Sequence, residues 1–218
     1  DMQRLDGEPA VQRAVATTLA RTRRALGEYD AALALNQRAY ELGERSGATP
    51  VQRASLLHQR ASLYADLGKF DKAMSTLEEA RAEWPMPPPA ARLAIDLTAA
   101  RIDDEAGRPE SAEQKYRAVL ADAAMLDKRQ PNPDPELRTT IETARSNLSG
   151  VLRDRGALDE SEQLIRAVLE GRVEELGERA PLTLASRNKL ALVLAARGDN
   201  ELAGKEAARG DRRQAEGP

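Results

Sequence analysis

Five glycines, spaced almost evenly, limit the folds open to this chain more than any other feature of the sequence. They lie at spacings of 41, 39, 49 and 42 residues: Gly27, Gly68, Gly107, Gly156 and Gly198. An acid follows each glycine by three residues, and an alanine or serine lies five residues after it and another seven residues before it. A period of about 40 residues with this internal detail predicts an array of helical repeats.

Each period is interpreted as two helices joined at the glycine. The glycine supplies the left-handed residue that closes the first helix. The acid falls in the first turn of the second helix, where the helix dipole favours negative charge. The small residues predict where the paired helices cross most closely, because larger side chains would hold them apart. In the second unit we expect Ala61 to lie at the crossing and Ala65 to lie away from it.

Residues around the first two glycines, 26–32 and 67–73, resemble the tetratricopeptide repeat, whose signature is a small residue, the turn glycine, an aromatic, an acid and alanine. The longer period and residues 181–191 resemble its kinesin-light-chain subtype, which is common in bacteria. The resemblance covers roughly residues 8–208. It implies an all-α, right-handed α-solenoid of about five helix-turn-helix repeats within residues 1–209, and the closing helix of the fifth unit departs most from the pattern. The repeats span about residues 8–45, 49–84, 88–127, 133–177 and 180–209, followed by a polar tail at 210–218.

Two proline-rich runs interrupt the helical pattern, at residues 84–89 and 130–135. Proline blocks the continuation of a helix, so both runs are expected to be extended. The second run explains the long interval of 49 residues. The first is either a stiff connector between repeats or a polyproline docking strip, and we favour the connector.

Composition and residue inventory argue against several classes of function. The net charge of −3 argues against a partner held through nucleic-acid phosphates. The chain has no cysteine, and its only histidine is His58, so neither a thiolate site nor a histidine-rich metal cluster is expected. No stretch is long and apolar enough to insert into a membrane. We therefore expect no catalytic residues, no metal and no cofactor.

The first helix of each pair lines the peptide-binding groove in the family that the chain resembles. Carried over by position, the resemblance implies a groove formed by Thr17, Arg21, Arg24, Ser55, His58, Ser62, Leu97, Arg101, Asp104, Ser146, Asn147, Arg153 and Asn188. Four of these are arginines, which pair well with carboxylates and suggest an acidic protein or peptide partner. Alternatively, these arginines only reflect the composition of the chain, because 27 of its 33 basic residues are arginine. The lysine-rich clamp of chaperone-binding relatives is not reproduced.

Asp96 and Asp103 occupy positions that are usually large and apolar in this repeat. Either they form a buried acid pair with a function, or the third unit packs through a shifted stripe of Ile95, Ala99 and Ile102. We favour the shifted stripe, because its spacing places an apolar face along one side of the helix.

Two functions remain open. The first is a non-catalytic, protein- or peptide-binding scaffold. The second is the sensory or regulatory domain of a bacterial transmembrane serine/threonine protein kinase. Residues 4–13 resemble the segment that opens the repeat region of such kinases, whose repeats lie outside the cytoplasm. If the chain is not part of such a kinase, we expect a cytoplasmic segment. The chain begins at Asp1 rather than methionine, so we expect it to be part of a longer protein. The fifth first-helix is strongly apolar and its closing segment is short, so we expect either a cap supplied by chain beyond Pro218 or a homodimer through the C-terminal end.

Overall fold

A computed structural model of the protein describes residues 8–127 and 135–211, and within them it contains ten helices and no strand. The helices are α1 Pro9–Ala25, α2 Tyr29–Arg45, α3 Pro50–Asp66, α4 Phe70–Glu83, α5 Pro89–Glu105, α6 Pro109–Asp127, α7 Pro135–Asp154, α8 Leu158–Leu176, α9 Pro181–Arg197 and α10 Asn200–Asp211. Most of the second proline run and of the polar tail lies outside the described residues. The residues from 84 to 88 form a non-helical connector between α4 and α5.

The chain forms two compact units, residues 1–108 and 109–218. In the first unit α1 packs on α2 and α3 on α4, while α2 contacts α3 and α5 contacts both α3 and α4. In the second unit α6 packs on α7, α7 on α8 and α8 on α9, and α10 closes the series on α9. Consecutive helix pairs stacked in this way confirm the predicted all-α solenoid of tetratricopeptide type.

The turn at Gly68 shows why glycine is required between the paired helices. Its φ of +69° is in the left-handed region that other residues rarely adopt. The Gly68 N–H donates to the Ala65 carbonyl and the Lys69 N–H to the Tyr64 carbonyl, both at 2.8 Å. This double hydrogen bond satisfies the last carbonyls of α3 and lets α4 begin at once. All five repeat glycines have positive φ, so the predicted role of the period is confirmed.

The small residues on either side of the glycines are all buried, as predicted. In the fourth unit serines replace both alanines without loss of close packing. The Ser161 hydroxyl donates to the Ser149 carbonyl at 2.7 Å, and the two hydroxyl oxygens are 3.0 Å apart. Ala65, the position expected to lie away from this crossing, is buried as well. It is 3% exposed and belongs to the same apolar cluster as Ala61 and Ile102, because α5 covers the side of α3 that α4 leaves open.

The third unit packs through the shifted stripe. Ile95, Ala99 and Ile102 are all buried, in the cluster that joins α3, α4 and α5. The two unusual acids have separate basic partners. Asp96 accepts a hydrogen bond from Arg81 at 2.7 Å, and the buried Asp103 lies 3.5 Å from Arg108.

Candidate functional site

Two first helices, α1 and α3, form a polar depression of about 470 Å³ in the first unit. Its apolar floor contains the buried Leu56 and the partly exposed Val51. The complete lining is Arg13, Ala14, Thr17, Arg21, Val51, Gln52, Ser55, Leu56 and Gln59. Of the predicted groove residues, the structure therefore brings Thr17, Arg21 and Ser55 together here. We call this depression the α1–α3 groove.

A charged network crosses the C-terminal ends of α1, α3 and α5. Arg24 donates to both carboxylate oxygens of Asp66, with Nε–Oδ2 at 2.5 Å and Nη2–Oδ1 at 3.2 Å. Arg101 reaches the same carboxylate at 3.5 Å and donates to Glu105 at 2.6 Å. Two of the four predicted groove arginines are thus already balanced by carboxylates of this chain. A second depression, lined by Arg21, Arg24, Ala25, Tyr29 and Asp66, adjoins this network.

His58 is held as a neutral side chain between α3 and α5. Burial and the nearby charges of Arg101 and Arg24 lower its pKa to about 4. Its Nε2 lies 2.6 Å from Thr98 Oγ1, and the Thr98 hydroxyl donates to the Ala94 carbonyl at 3.0 Å. The single hydrogen of that hydroxyl lies within reach of both the Ala94 carbonyl and His58 Nε2. His58 therefore connects α3 and α5.

The remaining predicted residues of the first unit are less accessible. Ser62 is only 7% exposed, so it lies beneath the surface rather than on it. Leu97 and Asp104 are half-buried along α5.

In the second unit, the predicted residues lie on α7 and α9. Ser146 is 5% exposed, and the Lys189 ammonium donates to its hydroxyl at 2.8 Å and to its carbonyl at 3.2 Å. The same ammonium lies 3.5 Å from the Asn147 side-chain oxygen. Arg153 pairs with its neighbour Asp154, whereas Asn188 is exposed. These residues mainly join two helices, and only the exposed Asn188 is fully open to a partner.

Sequence reasoning missed the residues that decide the charge of these surfaces. Asp66 follows Ser62, the last predicted groove residue of α3, by four residues, and Lys189 directly follows Asn188. Arg13 precedes Thr17 by one helical turn, so it shares the same face of α1. The i, i+4 spacing could have identified Arg13 from the sequence. No sequence pattern indicates that Asp66 and Lys189 pair with residues of other helices.

Other site types are not found among the described residues. No group of three or more histidine, cysteine, aspartate or glutamate side chains is placed to hold a metal ion there. None of the described helices combines the length and the apolarity that crossing a membrane requires.

Stacked helix pairs, each closed by a left-handed glycine and each crossing at small residues, define a helical-repeat protein of the kind built to bind along its surface. The family model for the tetratricopeptide repeat matches residues 12–82 and 140–204, which is more than half of the chain. The chain therefore belongs to the tetratricopeptide-repeat family. Comparison with curated protein sequences gives no significant match.

Solved structures show the same fold. The putative kinesin light chain with nearly identical TPR-like repeats from Podosopora anserina is 22% identical with a TM-score of 0.66, over 96% of this chain and 97% of that one. BtubC (BKLC) from P. vanneervenii is 21% identical with a TM-score of 0.70, and the match covers 100% of this chain and 88% of BtubC. NprR, in complex with its cognate peptide NprX, is 14% identical with a TM-score of 0.71, and the match covers 94% of this chain and 56% of NprR. The fold is thus that of kinesin-light-chain-like repeats, as predicted.

Proposed function

We propose that this protein is a non-catalytic scaffold that binds a protein or peptide segment in the α1–α3 groove. The observation that carries the proposal is the pattern of the lining: an apolar floor bordered by the amide and hydroxyl side chains of Gln59 and Ser55. An extended segment brings unpaired backbone N–H and C=O groups, which need such partners when water is excluded. NprR, which has the same fold, was solved with a bound peptide.

The charge of the groove favours an acidic partner. In the described part of the chain Arg24, Arg101 and Arg153 have carboxylate partners, whereas Arg21 has neither an ion pair nor a hydrogen bond to its side chain. Arg21 is exposed at the junction of the two depressions. We propose that a carboxylate of the partner pairs with Arg21, since guanidinium–carboxylate bonds are among the stronger polar contacts.

A random peptide phage library tests binding in this groove. Peptides selected on the wild-type protein should bind a Val51→Asp variant much more weakly, because a charge replaces part of the apolar floor. Val11→Asp is the matched control: Val11 and Val51 are 39% and 44% exposed, and only Val51 lines the groove. If no peptide is enriched, or if both variants bind like the wild type, the groove is not the binding site.

The second candidate is the regulatory domain of a bacterial transmembrane serine/threonine protein kinase. Its support is the resemblance of residues 4–13 to the segment that opens the repeat region of such kinases. Residues 4–7 lie outside the described part of the chain. On this proposal the domain lies outside the cytoplasm and its groove receives the signal. The sequence encoded upstream of Asp1 tests it: kinase motifs followed by an apolar run of about 20 residues are expected. An upstream sequence without them rejects this candidate.

We also propose self-association through the C-terminal end. Leu182, Leu192 and Leu202 are about half exposed on the last two helices, and burying such side chains against a second copy is favourable. Analytical ultracentrifugation should show dimers that Leu202→Asp weakens. A wild-type protein that stays monomeric at high micromolar concentration would contradict this proposal.

A further inference from the structure

The α1–α3 groove contains two cations and no acid. Arg13 and Arg21 both line it, and none of its other lining residues is charged. Arg13 donates to the Gln52 side-chain oxygen at 2.8 Å, and Arg21 is exposed. Among the residues that the structure describes, neither arginine has a carboxylate partner. The groove therefore presents two positive charges with nothing of the described chain to balance them.

The other arginines of α1 differ in this respect. Arg23 pairs with Glu28, and Arg24 pairs with Asp66. These two side chains lie nearer the C-terminal end of the helix and are occupied within the chain. The charge available to a partner is thus concentrated at Arg13 and Arg21 rather than spread over the helix.

The separation of these two arginines limits the spacing of the groups that can pair with them. They are eight residues apart on α1, which corresponds to about 12 Å along the helix axis. An extended peptide advances about 3.3 Å per residue, so four residues cover about 13 Å. Side chains of an extended segment alternate between its two sides. Residues four apart therefore point the same way and reach both arginines together.

The surface between the two arginines suits an apolar side chain. Thr17 lies midway between them, and its hydroxyl donates to the Arg13 carbonyl at 2.8 Å, which leaves its methyl group for contact. Ala14 and Val51 border the same region. In an extended segment, the residue halfway between two acids spaced by four lies on the same side as the acids and above this surface.

We propose that the α1–α3 groove recognises an extended segment with two acidic side chains four residues apart and an apolar side chain midway between them. The inference rests on the proposed peptide-binding function and names its partner's chemistry. A helical partner satisfies its own backbone hydrogen bonds and has no need of the groove's amides and hydroxyls. An extended partner needs them. Gln59 and Ser55 lie on α3 and share one long, exposed hydrogen bond of 3.4 Å, which bonds to the segment can replace.

Peptide selection with matched variants tests this spacing. The random peptide library is selected in parallel on the wild-type protein, on Arg13→Gln with Arg21→Gln, and on Arg38→Gln. Arg38 is exposed on α2 and has no ion-pair or hydrogen-bond partner for its side chain among the described residues, so its removal changes the charge without touching the groove. Arg21 is exposed, and the half-buried Arg13 contributes one hydrogen bond to Gln52, so we expect the double variant to fold; thermal unfolding verifies it.

We expect the wild type and Arg38→Gln to enrich peptides with the acid–x–apolar–x–acid pattern, and the double variant to lose them. A selected peptide, followed by fluorescence anisotropy, should bind about tenfold or more weakly for each groove arginine removed. Moving one acid of that peptide by a single residue should weaken binding similarly.

The remaining outcomes separate this inference from the proposed function. Enriched peptides that lack the spacing, yet lose binding on Val51→Asp, would overturn the inference and keep the groove as a binding site. Peptides that bind the double variant as well as the wild type would also overturn it. The absence of any enriched peptide would count against both proposals.

Discussion

Arg24 on α1 donates to both carboxylate oxygens of Asp66 on α3, and this pairing joins the first helices of the first two repeats. Asp66 also lies 3.5 Å from Arg101 on α5. One carboxylate thus lies between two cations from neighbouring repeats. It stabilises the stack, and it also removes positive charge from a surface that an acidic partner would approach.

Replacing Asp66 with asparagine should therefore change stability and binding in opposite directions. The amide cannot balance the charge of Arg24, and the side chain of Asp66 is only 14% exposed. We therefore expect the free energy of unfolding to fall by about 1–2 kcal/mol. The affinity for an acidic peptide should rise, because the Arg24 charge is released next to Arg21. Chemical denaturation and fluorescence anisotropy measure the two effects.

Glu44→Gln provides the comparison for Asp66→Asn. Glu44 is an exposed acid of α2, so its substitution makes the same change in net charge away from the network. It should leave both measurements nearly unchanged. Equal losses of stability in the two variants would show that net charge, rather than the Arg24–Asp66 pair, is responsible.

The lowered pKa of His58 predicts that the free energy of unfolding depends on pH between the pKa values of His58 in the folded and unfolded protein. The folded pKa of about 4 lies below the usual value of about 6.5. Between these values the unfolded chain binds a proton that the folded chain does not. The free energy of unfolding should therefore be unaffected above pH 6.5 and fall as the pH drops toward 4, by up to about 3 kcal/mol in total.

His58→Gln removes this titration and should flatten that part of the pH profile relative to the wild type. Because His58 is the only histidine in the chain, its ring proton resonance reports the folded pKa directly by NMR. A titration midpoint near 6.5 would contradict a partly buried imidazole that is held neutral in the folded protein.

Local chemistry explains why the fold was predictable. The glycine at each turn must adopt positive φ, and the small residues must lie where the helices cross, so both requirements are visible as residue types at regular spacing. Ala65 shows the limit of this reasoning. Its burial depends on α5, which packs against α3 from the next repeat, and no residue within its own repeat signals that contact.

Tryptophan at Ala61 should destabilise the protein strongly. Ala61 is fully buried where α3 meets α4, and overpacking at such a position costs about 1–3 kcal/mol or more. Ala34→Trp, at an exposed position of α2, should have little effect. Thermal unfolding compares them, and similar melting temperatures for the two variants would mean that the helix crossing lies elsewhere.

The groove was less predictable than the fold for a physical reason. Position within the repeat identifies the face of a helix, and three of the residues chosen by position, Thr17, Arg21 and Ser55, line one depression. It does not identify which charges are already paired. Asp66 is 42 residues from Arg24. Long side chains pair with whichever partner is near in the folded structure, so only the fold distinguishes the paired Arg24 from the available Arg21.

The closing helix α10 should depend on one buried ion pair. Arg187 on α9 is nearly buried, and its Nη1 lies 3.1 Å from Glu206 Oε2 on α10. Removing Glu206 leaves the nearly buried Arg187 with the exposed and more distant Glu178, 3.8 Å away, so most of the pairing energy, about 3 kcal/mol, should be lost. Glu206→Ala should therefore accelerate amide hydrogen exchange in α10 on the order of a hundredfold, which corresponds to that free energy.

Glu201→Ala is the control on the same helix. Glu201 pairs with Lys205 at the surface, where both side chains are well exposed, so its loss should cost only about 0.5–1 kcal/mol. Exchange in α10 should then rise severalfold at most. If both variants accelerate exchange equally, α10 is held by its apolar contact through Ala203 rather than by the Arg187–Glu206 pair, and the C-terminal end closes through packing alone.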